Sequence, residues 1–507
     1  MQDEATQKTI AFLKAHAFGR LSAESVETAT THISIILLSG ETAIKLKRPV
    51  KLGYVDFSTP EKRLIACERE LELNRRTAPT LYRAVRRITR GRDGGLEFDD
   101  DGELVDAVVE MRRFDEGCLF DRMAETGGLT VPLVTRLGET IAAFHAAAEV
   151  ATDRSGSAVM ASVLDINEAA LATTDVFVKD AVAEFNASFR AALASRSPLL
   201  DARGRAARIR RCHGDLHLRN ICLFEGEPTL FDCLEFDEAM ATTDVLYDLA
   251  FLLMDLWHRG LCDHANRVMN RYLDASDEAD GLPLMPFFMA VRAAVRAHVT
   301  ATRAAETDGD QALYDEAHAY FDLALTLLEE RPARLVAVGG LSGSGKSTVA
   351  AALAPHLGSA PGARILASDR LRKRRYGVAA ETRLPPEAYA SGVSEQVYAE
   401  LADTAARILS SGWSVVADAV FDRGPDRQRI AAVAERAGVP FQGLWLEAPV
   451  DELVKRVSAR RGDPSDATAA VVRMQAEQPR SVVEWRHVPS EGGIARTCEA
   501  AKSALER

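Results

Sequence analysis

The sequence predicts two tandem parts of different class, an α+β part made of two lobes followed by an α/β part whose parallel sheet is covered by helices. Three observations carry this. A chain of 507 residues exceeds what one hydrophobic core ordinarily organises. Residues 32–111 read as strand, strand, helix, strand, strand, whereas 131–330 are rich in alanine and leucine at helical spacing. Beyond Pro332, short apolar runs alternate with helical stretches, the pattern of strands joined by crossover helices. Pro332 also stops the amphipathic pattern of 310–330, so the boundary falls between 331 and 332. The first part, 1–331, divides into a small lobe over about 1–112 and a helical lobe over about 113–331; the second part is 332–507.

In chain order, the N-terminus is a charged amphipathic helix without the apolar centre of a signal peptide. Strands follow at 32–38 and 42–46, a helix at 60–76, and strands at 81–89 and 104–111 around the polar turn 91–103. Lys45 lies at the end of the second strand and Lys47 just beyond it. Glu68 or Glu70 on the next helix is placed to hold a lysine there. Helices are expected over 131–150, 163–195, 243–273 and 284–304. One segment interrupts them: 211–238 sets a polar loop before a hairpin whose second strand, 228–231, runs into Asp232. The arginine run from Arg203 to Arg211 reads as a solvated edge.

Composition narrows the function. A formal charge of −12 argues against a chain that coats long nucleic acid and leaves room for a short oligonucleotide. Seven cysteines without a CxxC pair suit reduced thiols in the cytoplasm, and no stretch approaches a membrane span.

Residues 335–348, LVAVGGLSGSGKST, form a phosphate cradle. An apolar strand breaks into Gly340, Ser342, Gly343, Ser344 and Gly345, whose backbone N–H groups can turn inward, and Lys346, Ser347 and Thr348 open an alanine-rich helix. Free donors and the helix dipole favour a polyphosphate there; Lys346 reaches its outer phosphates and the Ser347 hydroxyl suits Mg²⁺. Two later strands run into Ser368-Asp369 and Asp418, at the sheet edge where such folds bind ligands. Asp418 fits the Mg²⁺ network, Asp369 an acceptor hydroxyl, and Arg372 an anionic part of that acceptor. Arg456 and Arg460, four apart on one helix, suit a lid that neutralises the transferred group.

His213-Gly214-Asp215 followed by Asn220 keeps the HxDxxxxN spacing of a kinase catalytic loop, with Asp232 in the place of the metal-binding aspartate. The chemistry asks for these residue types. An acceptor hydroxyl needs a carboxylate, here Asp215, to take or orient its proton. Mg²⁺ needs hard oxygens, here Asn220 and Asp232.

AIK at 43–45, HGDLHLRN at 213–220, FD at 231–232 and YDLA at 247–250 together resemble aminoglycoside phosphotransferase-type kinases, relatives of protein kinases, over roughly residues 30–330. The resemblance implies a protein-kinase-like bilobal fold, ATP in its cleft held by Lys45 and Glu70, transfer of the γ-phosphoryl to a hydroxyl, and Asp248 bracing the catalytic loop. A departure from that family is its glycine-rich loop, for which Ser39-Gly40-Glu41 is the only candidate near 38–42. GGLSGSGKST, ASDRLRKRRYG and VVADAVFDR resemble the P-loop kinases near gluconate kinase, zeta toxin and polynucleotide kinase, over about 333–507. That resemblance implies a P-loop α/β domain using ATP. The expectation is a bifunctional ATP- and Mg²⁺-dependent kinase acting on small-molecule hydroxyl acceptors.

Overall fold

The computed structural model describes residues 2–18, 26–52, 55–307, 310–459, 464–478 and 482–506. Helix α1 (Gln2–His16) precedes strands β1 (Glu27–Thr30), β2 (Ser34–Ser39) and β3 (Thr42–Lys47). A short ribbon of β4 (Lys51–Leu52) and β5 (Val55–Asp56) leads to α2 (Pro60–Arg75), then β6 (Tyr82–Arg90), β7 (Leu96–Phe98) and β8 (Glu103–Arg112). The longer strands make a six-stranded antiparallel sheet in the order β1-β2-β3-β8-β6-β7. Strand β3 is central, and the period of two sends its residues to opposite faces. Ile44 and Leu46 join Leu13, Leu37 and Val108 in one core. Lys45 and Lys47 therefore share the other face, where α2 lies.

Thr59 caps α2 by accepting from the Lys62 N–H, and Pro60 suits its first turn. The buried face of α2 is Arg63, Cys67, Glu70 and Asn74, a helical stripe that is mostly polar. Arg63 is held by Asp106 of β8 through Nε and Nη2, at 2.7 and 3.0 Å.

Helices and short hairpins follow: α3 (Phe120–Glu125), α4 (Val131–Ala147), α5 (Gly156–Leu171), α6 (Lys179–Arg205), β9 (Ile209–Arg211), β10 (Ile221–Phe224), β11 (Glu227–Leu230), α7 (Glu238–Ala241), β12 (Thr242–Asp244), α8 (Val245–His258), α9 (Cys262–Ala275), α10 (Met285–Glu306) and α11 (Gln311–Leu328). The arginine run 203–211 is not a solvated edge. Arg203 is 1 % exposed and pairs with Asp244 through two bonds of 2.7 and 2.8 Å, while Arg210 donates to the last carbonyls of α4. A charge run cannot reveal from sequence that its carboxylate lies 41 residues away.

The C-terminal sheet is built from β13 (Leu335–Gly340), α12 (Lys346–Leu353), β14 (Arg364–Ala367), α13 (Ser368–Arg375), α14 (Ser391–Ser410), β15 (Val415–Asp418), α15 (Gly424–Ala437), β16 (Phe441–Glu447), α16 (Val450–Ala459), α17 (Ala469–Glu477), β17 (Arg486–Pro489) and α18 (Ile494–Glu506). All its pairs are parallel, in the order β14-β15-β13-β16-β17. Val336, Val338, Val349, Leu353, Val416 and Leu444 fill one face. No helix among the described residues is long and apolar enough to cross a membrane. By packing, the chain forms two compact units, Met1–Val163 with Leu200–Asp255, and Leu164–Leu199 with Leu256–Arg507.

Within the second unit, α9 runs along the outer edge of β14. Asn266 donates to the carbonyls of Pro361 and Ala363, both at 3.0 Å. Asn270, one turn on, donates to Ala363 and accepts from the Ile365 N–H at 2.7 Å and from Arg364 at 3.0 Å. The two amides do for this edge what a neighbouring strand would do, and both are 1 % exposed. Asn270→Ala strands a buried N–H and part of a guanidinium, which costs about 1–3 kcal/mol. A urea midpoint equal to that of wild type would contradict this.

Candidate functional sites

In the first unit a chain of alternating charges runs through the cleft face of the sheet. Lys45 Nζ donates to Glu70 Oε1 at 2.8 Å and to Asp232 Oδ1 at 2.6 Å. Lys47 donates to the other oxygen of Glu70 and to Glu235. One glutamate thus serves both lysines, which answers the choice the sequence left open: Glu70 is fully buried on this face, whereas Glu68 is exposed. Burial would push the Glu70 carboxyl up, but Lys45 and Lys47 outweigh it and bring it down to about 2. Both lysines, disfavoured by burial, are nonetheless raised by their carboxylates. Lys45, Lys47 and Glu70 therefore stay ionised across neutral pH.

Residues 213–220 lie beside this chain of charges, the Phe231 N–H donating to the Asn220 carbonyl at 3.0 Å. Asp248 of α8 accepts from the N–H groups of His213 and Gly214, at 3.1 and 2.8 Å, and meets His145 Nε2 at 3.0 Å. Gly214 has φ +86°, and a Cβ there would come within 2.8 Å of Ala241 Cβ. The loop is pinned further by Asp255, which accepts from the Leu218 N–H at 3.0 Å. Asn220 Nδ2 donates to the carbonyl and to Oδ2 of Asp215, at 2.9 and 2.8 Å. Asp232 follows β11 with φ +61°, a conformation held in part by its N–H donating to the Tyr82 hydroxyl at 3.2 Å.

Lys45, Glu70 and Asp232 form one bonded group and Asp215 with Asn220 another, and the Phe231 N–H donating to the Asn220 carbonyl at 3.0 Å sets the two side by side. Their donors suit a hard cation. The Asn220 amide oxygen makes no hydrogen bond among the described residues, and the Asp232 side chain is 40 % exposed with one oxygen turned to Lys45. The turn between β2 and β3 is tight, with Ser39 paired to Thr42 across Gly40 and Glu41. Sequence reasoning missed Glu235, Tyr82, Asp255 and His145. Only the FDCLEFDE spacing, which places Glu235 three residues after Asp232, hinted at the first.

In the second unit the cradle joins β13 to α12. Gly343 and Gly345 have φ +89° and +90°, and a Cβ on Gly343 would meet the Leu453 carbonyl of α16 at 2.7 Å. Lys346 donates to the Leu341 carbonyl at 3.1 Å, the Ser342 N–H donates to Gln475 of α17 at 3.0 Å, and Ser347 and Thr348 are exposed on the first turn of α12. Ser344 is buried, its hydroxyl unpaired and close to Gly340. Gly340 ends β13 at the same edge as Asp418, the last residue of β15, which is paired in register with Val338.

Asp369 is half-buried in the first turn of α13; burial raises the phenols of Tyr389 and Tyr398, and the negative charge of Asp369 adds to it. Arg372 is buried: Nη1 donates to the Ala388 carbonyl at 2.7 Å and the guanidinium covers Tyr389 at 4.7 Å. Asp466, which the sequence reading did not single out, accepts from Lys373 at 2.6 Å, Tyr389 at 2.5 Å and the Leu384 N–H at 2.9 Å. Arg456 donates to Glu452 and to the Ser490 carbonyl, at 3.1 and 2.7 Å. Arg460 lies outside the described residues.

Two family patterns match stretches of this chain. The pattern of the phosphotransferase enzyme family matches residues 60–284, and a pattern described as an AAA domain matches 335–480. The uncharacterized protein Rv2004c of Mycobacterium tuberculosis is 30% identical over 458 residues, covering 88% of each chain. An adenylyl-sulfate kinase of Myxococcus xanthus is 32% identical over 120 residues, 23% of this chain and 59% of its own. Among solved structures, a choline/ethanolamine kinase family protein from Mesorhizobium loti is 15% identical, with TM-score 0.39, covering 64% of this chain and 95% of that one.

Proposed function

The chain belongs to the same family as the mycobacterial protein and is a kinase-type phosphotransferase enzyme whose phosphotransferase-family segment precedes a P-loop kinase segment, and on that premise we propose that each segment carries its own ATP- and Mg²⁺-dependent site for small hydroxylated acceptors. The observation that carries this is that the Lys45, Glu70 and Asp232 group lies next to the Asp215 and Asn220 pair, the Phe231 N–H donating to the Asn220 carbonyl between them. In the first site Lys45, oriented by Glu70, holds the phosphates, and Asp215 accepts or orients the proton of the acceptor hydroxyl. Asn220 and Asp232 offer the oxygens for Mg²⁺, which when bound neutralises charge on the phosphates.

In the second site the cradle N–H groups and Lys346 hold the triphosphate, Ser347 and Asp418 offer metal oxygens, and Asp369 orients the acceptor. The seven free cysteines support a cytoplasmic setting. A second reading, in which the first site only binds nucleotide and regulates the second, is favoured by the tight turn between β2 and β3. The two are separated by screening a metabolite extract for phosphorylated products with wild type, Asp215→Ala and Lys346→Ala. Two-site catalysis predicts that each variant loses its own set of products. If Asp215→Ala loses none, the regulatory reading takes its place.

A further inference from the structure

Five basic residues crowd α13, and four of them are committed. Arg372 covers Tyr389, Lys373 is taken by Asp466, and Arg374 and Arg375 pair with Glu400. Arg370, the neighbour of Asp369, is held only loosely, 3.5 Å from Asp274 and 4.0 Å from Glu381. Around that Asp274 stand two more guanidiniums, Arg271 at 2.8 Å and Arg364 at 2.7 Å. Arg267, one helical turn before Arg271 on α9, is half-buried beside Arg370, and its side chain makes no hydrogen bond or ion pair among the described residues. Arg271 is 7 % exposed and its Nε has no partner.

Three arginines thus share the half-buried Asp274 carboxylate and Arg267 stands beside one of them, with Asp263 and Glu381 only at the exposed rim. Burial, and then the like charges of Arg370, Arg364 and Arg267, outweigh Asp274 and pull Arg271 down to about 10. Gathering under-compensated guanidiniums costs stability, and their planar forks match phosphate and carboxylate.

We propose that Arg267, Arg271, Arg364 and Arg370 form an anion site that receives the phosphate or carboxylate of the hydroxylated acceptor phosphorylated at the P-loop site. The ligand class is a small anion bearing a hydroxyl, seated with its charge against α9 and its hydroxyl toward Asp369. This rests on the kinase reading of the second site, and it adds that α9, far upstream in sequence, supplies part of the acceptor pocket.

The test uses the full chain carrying Lys346→Ala, which removes anion affinity at the cradle, and titrates inorganic phosphate by calorimetry and thermal shift. Saturable binding is expected to persist, to weaken at least tenfold when Arg267→Ala is added, and to return with Arg267→Lys. Loss of all phosphate binding in Lys346→Ala alone, or an unchanged affinity with Arg267→Ala, overturns the site. Binding is read without turnover, so a dead kinase and a missing anion site give different results. Once an acceptor is identified, Arg267→Ala in the otherwise native chain should raise its KM at least tenfold with KM for ATP within twofold, and inorganic phosphate should compete with it. Non-competitive inhibition would overturn the assignment of the anion to the acceptor.

Discussion

Asp215→Asn is expected to lower turnover at the N-terminal site by about a hundred- to ten-thousand-fold, the usual worth of a positioned general base. The substitution keeps the size of the side chain and an oxygen facing Asn220, and the Asp215 side chain is 41 % exposed, so the loop has no strong reason to rearrange. What it removes is the carboxylate proposed to receive the acceptor proton. KM for ATP should stay within a few-fold, because the proposed nucleotide-holding pair, Lys45 and Glu70, makes no bond to Asp215. Products of the P-loop site should not change. A kcat within threefold of wild type, measured with the acceptor of that site, would remove Asp215 from the chemistry.

Lys47→Met is expected to cost about 3–5 kcal/mol of stability, because it leaves Glu70 with one lysine and Glu235 with no charge partner inside the sheet. Lys47 and Glu70 are both 0 % exposed, so water cannot take the place of the lost ammonium. For a unit of this size that corresponds to a fall in Tm on the order of 10 °C. Pairing it with Glu235→Gln should recover part of the loss, since the stranded charge is then removed. Equal Tm values for the single and double variants would show that Lys47 and Glu235 do not interact. Activity gives a second readout: if the lysine helps hold Glu70 toward Lys45, KM for ATP rises in the surviving folded fraction.

Most of the architecture was legible because periodicity and punctuation carry it. The alternation of apolar runs after Pro332 gives the parallel sheet, and the glycines of 340–345 mark its cradle. The strand β17 was not legible. Arg486 and His487 are exposed and Val488 alone is buried, so an edge strand this short has no apolar signature. The site was legible where spacing along one segment defines it, as at Asp215 and Asn220. It was illegible where partners come from afar: Glu235 meets Lys47 across 188 residues, and nothing local announces it. The surface of α9 that meets β14 is a case of the same kind, since buried asparagines and arginines imitate a solvated helix face.

That helix also bears on how the P-loop segment can be treated as a module. A strand edge is usually finished by residues close in sequence, yet the Ile365 N–H finds its acceptor 95 residues earlier, beyond Pro332 and two intervening helices. A fragment beginning at residue 332 would carry every signature of its family and still present β14 as an open template for another copy. In the intact chain α9 leaves the ribosome first and waits for that strand, so the two families recorded in this sequence are joined by more than a linker. They share the last row of one sheet.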